Sequence, residues 1–202
     1  MPAQSRWFRI FLLLFFTLLG MLAYLLVLER HQRNASPPLA AVPPGGDFVL
    51  QSADGPVALK DFRGKVALLY FGYALCPDVC PTSLSTMAMA LKRLKPDEAD
   101  QVRVIFISVD PKRDTPDRLK EYVQYFHKNM VGVTGEKKDI DDIVRRYGAI
   151  YRIADEGSKA GYLVDHSSTT YLIDRSGKLV KLIPHGVNPE SLAAILREQI
   201  SK

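Results

Sequence analysis

Three kinds of hydrophobic pattern run along the chain. Residues 10–28 are uncharged and almost wholly apolar, interrupted only by Thr17, Gly20 and Tyr24, about the length that crosses a bilayer as a helix. Residues 65–71 and 102–109 are short, mostly apolar runs. Runs of this kind predict strands buried on both faces of a parallel or mixed sheet. Elsewhere the spacing is three-and-four. Leu84, Met87, Ala88, Leu91 and Leu94 predict a helix, which opens between Asp78 and Cys80 because Pro81 is tolerated only in a first turn. Asp114-Thr115-Pro116 supplies an N-cap and an N1 proline for a helix bearing Leu119, Tyr122, Val123 and Phe126. Ile140, Ile143, Val144 and Tyr147 mark another, ended by Gly148. Asn188-Pro189-Glu190 opens a last helix with Leu192, Ile195, Leu196 and Ile200 on one face. Residues 130–134 predict a short strand, and residues 168–173 and 178–183 flank the turn Asp174-Arg175-Ser176-Gly177 as a hairpin. Strands alternating with helices and finishing in a hairpin and a helix give an α/β sheet sandwich.

These patterns divide the chain into a cytoplasmic N-terminus (1–9), a transmembrane anchor (10–28), a Pro-rich tether (29–46) and a globular domain (47–202). A cleaved secretory signal has a shorter apolar core, about 7–15 residues, so an uncleaved anchor is the reading. Arg6, Arg9 and Trp7 precede the segment, and Glu29, Arg30 and Arg33 follow it. This small bias favours an inside N-terminus. No Arg- and Ser-rich transit peptide is visible, which points to a bacterial inner-membrane protein, single-pass, with its domain facing the periplasm. The 202 residues, 47% of them hydrophobic, suffice for one membrane segment and one domain with a core. The formal charge of +5 falls to +2 over residues 47–202, with 23 basic and 21 acidic side chains. That leaves no basic footprint for nucleic acid.

Chemistry concentrates at Cys76 and Cys80, the only two cysteines. They bracket Pro77-Asp78-Val79 at the predicted strand-to-helix turn, where paired thiols mean soft-metal binding or redox chemistry. The positive end of a helix stabilises thiolates, so both sulfurs are expected to be reactive. A structural disulfide would close too short a loop to constrain much of the unfolded chain. Three residues separate the pair, whereas thioredoxin-type catalytic pairs have two. His166, in Asp165-His166-Ser167, precedes the penultimate strand. Taken alone, such a histidine is more often a hydrogen-bonded structural residue, but a turn there in a thioredoxin-type sheet would face the cysteine loop. His31 in the tether, His127 at a helix end and His185 in a loop read as solvated surface residues. Asp78 reads as a helix cap and Asp165 as a turn residue, with support of the site as the alternative for each. Asp110 and Arg113 are expected to stabilise the loop before their helix.

The run from Phe71-Gly72-Tyr73-Ala74-Leu75 through Cys76-Pro77-Asp78-Val79-Cys80-Pro81 resembles the signature of the Sco/SenC family. Val109-Asp110-Pro111-Lys112-Arg113-Asp114-Thr115 is similar to that family's second block, and Asp165-His166-Ser167 to its histidine segment. Ala74-Leu75 stands where the family often has Thr-His, which removes a neighbouring imidazole. The resemblance implies a membrane-anchored, thioredoxin-like copper-binding domain whose ligands are Cys76, Cys80 and His166. Such a soft, low-coordinate set suits one copper ion, Cu(I) or Cu(II). Structural zinc usually takes four protein ligands. The resemblance further implies a copper chaperone for the CuA centre of cytochrome c oxidase, or else a thiol-disulfide oxidoreductase that keeps the CuA cysteines reduced. Its partners would be the CuA-bearing oxidase subunit, a periplasmic thiol reductase and the membrane.

Overall fold

The computed structural model describes residues 8, 12, 14–22, 24, 42–158 and 161–202, with the side chains of 155–158 left aside. The described residues between 8 and 24 are helical. Most of the predicted anchor's flanks and of the tether, His31 included, lie outside the described residues. Among those described, no helix is long and apolar enough to cross a membrane.

Residues 42–202 form a compact unit around a five-stranded mixed sheet. Its strands are β3 (Val66–Gly72), β4 (Val102–Ser108), β5 (Met130–Val133), β8 (Thr170–Ile173) and β9 (Leu179–Ile183), in the order β5-β4-β3-β8-β9. β3 lies at the centre, parallel to β4 and antiparallel to β8. Every residue of β3 is buried, as its unbroken apolar run predicts. Strand alternation sends neighbouring aromatics to opposite faces. Tyr70 stacks with Phe106, which meets Tyr122. Phe71 packs against Tyr147 and Tyr171 on the other side.

The helices are α1 (Val79–Lys92), the single turn α2 (Pro96–Ala99), α3 (Pro116–Gln124), α4 (Lys137–Arg146) and α5 (Pro189–Ile200). All five stripe residues predicted for α1 are buried, as are Ile140, Ile143, Val144 and Tyr147 of α4 and its cap. Gly148 adopts φ +64°, where a side chain would be strained, and ends α4. Asn188 caps α5 by accepting from Ser191 N–H at 2.7 Å. Thr115, and not Asp114, caps α3 through Arg118 N–H at 3.3 Å.

Two hairpins were not legible as apolar patterns. β1 (Val49–Ser52) and β2 (Gly55–Ala58) pair with each other, and Gln51 bridges to Thr134 beyond β5. β6 (Tyr151–Ser158) and β7 (Gly161–His166) form a separate two-stranded sheet that makes no strand pairing with the central one. Both mix polar and apolar positions, because neither is buried on two faces.

Candidate metal centre

The site forms where β3 ends and α1 begins. Gly72 closes the strand beside the buried Cys80. A Cβ added there would lie 2.5 Å from Cys80 Sγ and 2.9 Å from the Phe106 ring, so only glycine lets the sulfur approach the backbone. Residues 73–78 then turn into the helix, with Cys76 N–H donating to Tyr73 O at 3.2 Å. A buried carboxylate pins this loop from below. Asp114 Oδ2 accepts from Ala74 N–H at 2.9 Å and from the Ser108 hydroxyl at 2.7 Å. Burial raises the pKa of Asp114, opposed by these same donors.

His166 arrives from the other direction, as the last residue of β7, paired with Tyr151 of β6. Its Nδ1 lies 3.0 Å from Ser167 O. A carbonyl only accepts, so Nδ1 carries a proton, and Nε2 lies 3.3 Å from Cys80 Sγ. Tyr70 and Tyr73 stand edge-on to the imidazole, at centroid distances of 6.1 and 5.8 Å, and fix its plane. The three predicted site residues thus converge, with Cys76 Sγ, Cys80 Sγ and a His166 ring nitrogen all within 4.8 Å of one another. Metal bonds of about 2.0–2.3 Å place two ligand atoms up to about 4.6 Å apart, so one small ion spans the set with minor adjustment.

The two sulfurs differ, which corrects the expectation that both are reactive. The Cys80 side chain beside Cys76 holds the Cys76 thiol down at about 3; His166 and the backbone at Asp78 and Cys80 add to this against the cost of burial. Cys80 has no exposed surface, and its burial, reinforced by its bond to Cys76 and that residue's charge, drives its pKa up. Burial outweighs the helix end for this sulfur. At neutral pH the pair is one thiolate, Cys76, and one thiol, Cys80, whose S–H stabilises the Cys76 thiolate.

Other sequence readings change with the structure. Asp78 occupies the N-cap of α1, but its side chain makes no capping bond. Asp165 is neither a turn residue nor a support of His166, since it pairs at 2.7 Å with Arg152 on the exposed side of the hairpin. Ser167 O orients the imidazole instead. Asp110 and Arg113 do pair in the loop before α3, and they also reach the β6–β7 hairpin: Tyr162 Oη donates to Asp110 at 2.6 Å and Arg113 to Tyr162 O at 2.7 Å. His127 is half-buried and accepts from Asn129 N–H at 3.1 Å; burial lowers its pKa. His185 is exposed but has a distant partner, Ser83 Oγ, at 3.1 Å. Sequence reasoning missed Tyr70, Tyr73 and Asp114 as parts of the site. Tyr73 lies inside the cysteine block, but nothing in the linear sequence marks Asp114 as lying beneath that loop.

The SCO1/SenC family profile matches residues 38–201. An SCO2-like protein of Rickettsia conorii is 39% identical over 157 residues, covering 77% of this chain and 76% of the relative. The mitochondrial SCO2 protein of Saccharomyces cerevisiae is 34% identical over 188 residues, covering 90% of this chain and 62% of its own length. Among solved structures, Arabidopsis thaliana ScoI with copper bound superposes with a TM-score of 0.72 at 37% identity, covering 78% of this chain and 98% of that one. Bradyrhizobium japonicum ScoI with copper bound gives 0.71 at 37% identity, with coverages of 77% and 99%. The mixed α/β architecture described above is therefore the thioredoxin-like Sco fold.

Proposed function

The chain belongs to the SCO1/SenC family, and from that premise we propose that it binds one copper ion through Cys76, Cys80 and His166 and delivers it to the CuA centre of cytochrome c oxidase. The convergence of two sulfurs and an imidazole nitrogen within 4.8 Å carries this reading. Soft thiolates select Cu(I), and imidazole suits both copper valences. Cys76 meets an incoming ion already deprotonated, and Cys80 has to surrender one proton. When bound, copper is cargo. The protein's part is to hold three donors in place and shield one of them from solvent.

Metal analysis of the reduced protein tests the assignment. One equivalent of copper is expected. Cys76→Ser and Cys80→Ser each abolish tight binding, and His166→Ala weakens it severely. Wild-type affinity in the His166 variant would remove the imidazole from the ligand set.

A second reading draws support from the asymmetry of the sulfurs. An activated Cys76 thiolate beside a buried Cys80 thiol is the arrangement of a dithiol reductant, which would keep the acceptor's CuA cysteines reduced. A related Sco protein, BsSco, is described as having a disulfide switch; it is 27% identical with a TM-score of 0.64, covering 82% of this chain and 97% of that one. Ligation needs both thiolates, so copper loading and a Cys76–Cys80 disulfide exclude each other, and a periplasmic thiol reductase is a required partner of either activity.

We place the chain in a bacterial inner membrane, anchored once by residues 10–28, with its domain in the periplasm. The apolar length of that segment supports this. So does the exposure of Leu14, Phe15, Phe16, Leu18, Leu19 and Leu22 along its described part, since a helix apolar all round fits a lipid surround.

A further inference from the structure

His166 is carried by an element that the central sheet does not hold. Among the described residues β6 and β7 pair only with each other, so the hairpin's position depends on the packing of its own buried Val164 and on side chains that reach it from elsewhere. One cluster does this next to the site. Arg113 pairs through Nε with the buried Asp110, and its Nη1 donates to Tyr162 O in β7 at 2.7 Å. The Tyr162 hydroxyl closes the loop on Asp110 Oδ1 at 2.6 Å. The guanidinium lies 3.7 Å from the centroid of the Tyr162 ring and 5.5 Å from that of Tyr73, the residue edge-on to His166. One cation therefore touches the hairpin that bears the imidazole and the loop that bears Cys76. Neither Arg113 nor Tyr162 belongs to the ligand set.

We propose that Asp110, Arg113 and Tyr162 are positioning residues forming a latch that sets how fully His166 joins the two thiolates. This rests on the ligand assignment above and adds the element that controls it. With the latch closed, the imidazole stands over the sulfurs. With it open, β7 swings away and leaves a dithiolate. Two soft thiolates still satisfy Cu(I), whereas Cu(II) depends on nitrogen and added ligands. The latch thereby tunes the preference between valences without touching metal. An Arg is required because its planar fork serves Asp110 and a carbonyl together while stacking on a ring, which an ammonium cannot do.

The experiment compares reduced full-length wild type with Tyr162→Phe, which keeps the stacked ring and loses one bond, and Arg113→Lys, which keeps the charge and loses the fork. Copper salts of each valence are titrated, and the Cu(II) form is read by its imidazole nitrogen hyperfine coupling. Amide exchange of residues 162–166 is measured on metal-free protein. Supporting groups around metal ligands are worth about 10–100-fold in affinity. The expectation is a loss of that order for Cu(II) with weakened nitrogen coupling, a smaller loss for Cu(I), and faster exchange in β7. Unchanged Cu(II) affinity and coupling overturn the latch, as does an equal loss for both valences, which reports general destabilisation. Failure of the wild type to bind copper sinks the ligand assignment instead; unchanged exchange in β7 would then still remove the latch.

Discussion

Cys76 sits where an S–H, an imidazole and two backbone N–H groups converge, so its sulfur is charged far below the ordinary thiol value of 9.0. Between about pH 3 and pH 9 the folded chain consequently binds fewer protons at this residue than the unfolded chain. Its contribution to stability is complete above the unfolded pKa and is lost as pH falls toward 3. Cys80, with a raised pKa, works in the opposite direction: its contribution is present below the unfolded pKa and fades as pH rises past it. Urea unfolding of the reduced, metal-free protein from pH 5 to pH 8 should show stability rising more steeply with pH in wild type than in Cys76→Ser. The difference is at most about 1.4 kcal/mol per pH unit. Parallel slopes would mean that Cys76 carries a proton in the folded state. The sequence shows both cysteines near a helix start, hence a shared electrostatic bias. Depth is not written there, and it is the burial of Cys80 against Gly72 that divides their roles. The rings of Tyr70 and Tyr73 illustrate the same limit, since their contact with His166 joins residues about a hundred positions apart.

Helix ends show how far local chemistry reaches. Asn188 and Asp78 are both good N-cap types, yet Asn188 accepts a hydrogen bond at 2.7 Å and Asp78 accepts none. Asn188→Ala should cost about 1 kcal/mol in chemical denaturation, and Asp78→Ala should stay within about 0.5 kcal/mol. Equal losses would contradict the difference between the two caps. β3 and β4 were legible as mostly apolar runs, and α1, α4 and α5 because each buries a periodic apolar face. The β1–β2 and β6–β7 hairpins were not. Tyr151, Arg152, Ile153 and Ala154 read as no clean alternation, with Arg152 and Ile153 both exposed. The strand that presents His166 is held by one buried residue, Val164, and by polar side chains from distant loops, and such contacts leave no periodic trace.

For the domain as a whole, composition located a Pro- and Gly-rich segment before residue 47 but could not say what it touches. Gly45 N–H donates to Arg146 O at 3.0 Å, and Tyr147 Oη donates to Gly46 O at 2.8 Å. A chain beginning at Asp47 loses both bonds. At about 1 kcal/mol each, and about 2–4 °C per kcal/mol for a domain of this size, its melting temperature should fall about 4–8 °C below that of a chain beginning at Val42. Identical melting curves would mean that these contacts add nothing. The order of residues along the chain also imposes a sequence in time on the site. Cys80 precedes His166 by 86 residues, and at roughly 5–20 residues per second a ribosome takes about 4–17 s to add them. Over that interval both thiols exist while the imidazole that turns toward Cys80 has not been made, and β3 waits for its β8 neighbour. The cysteine pair is therefore made seconds before the pocket that would hold a metal on it.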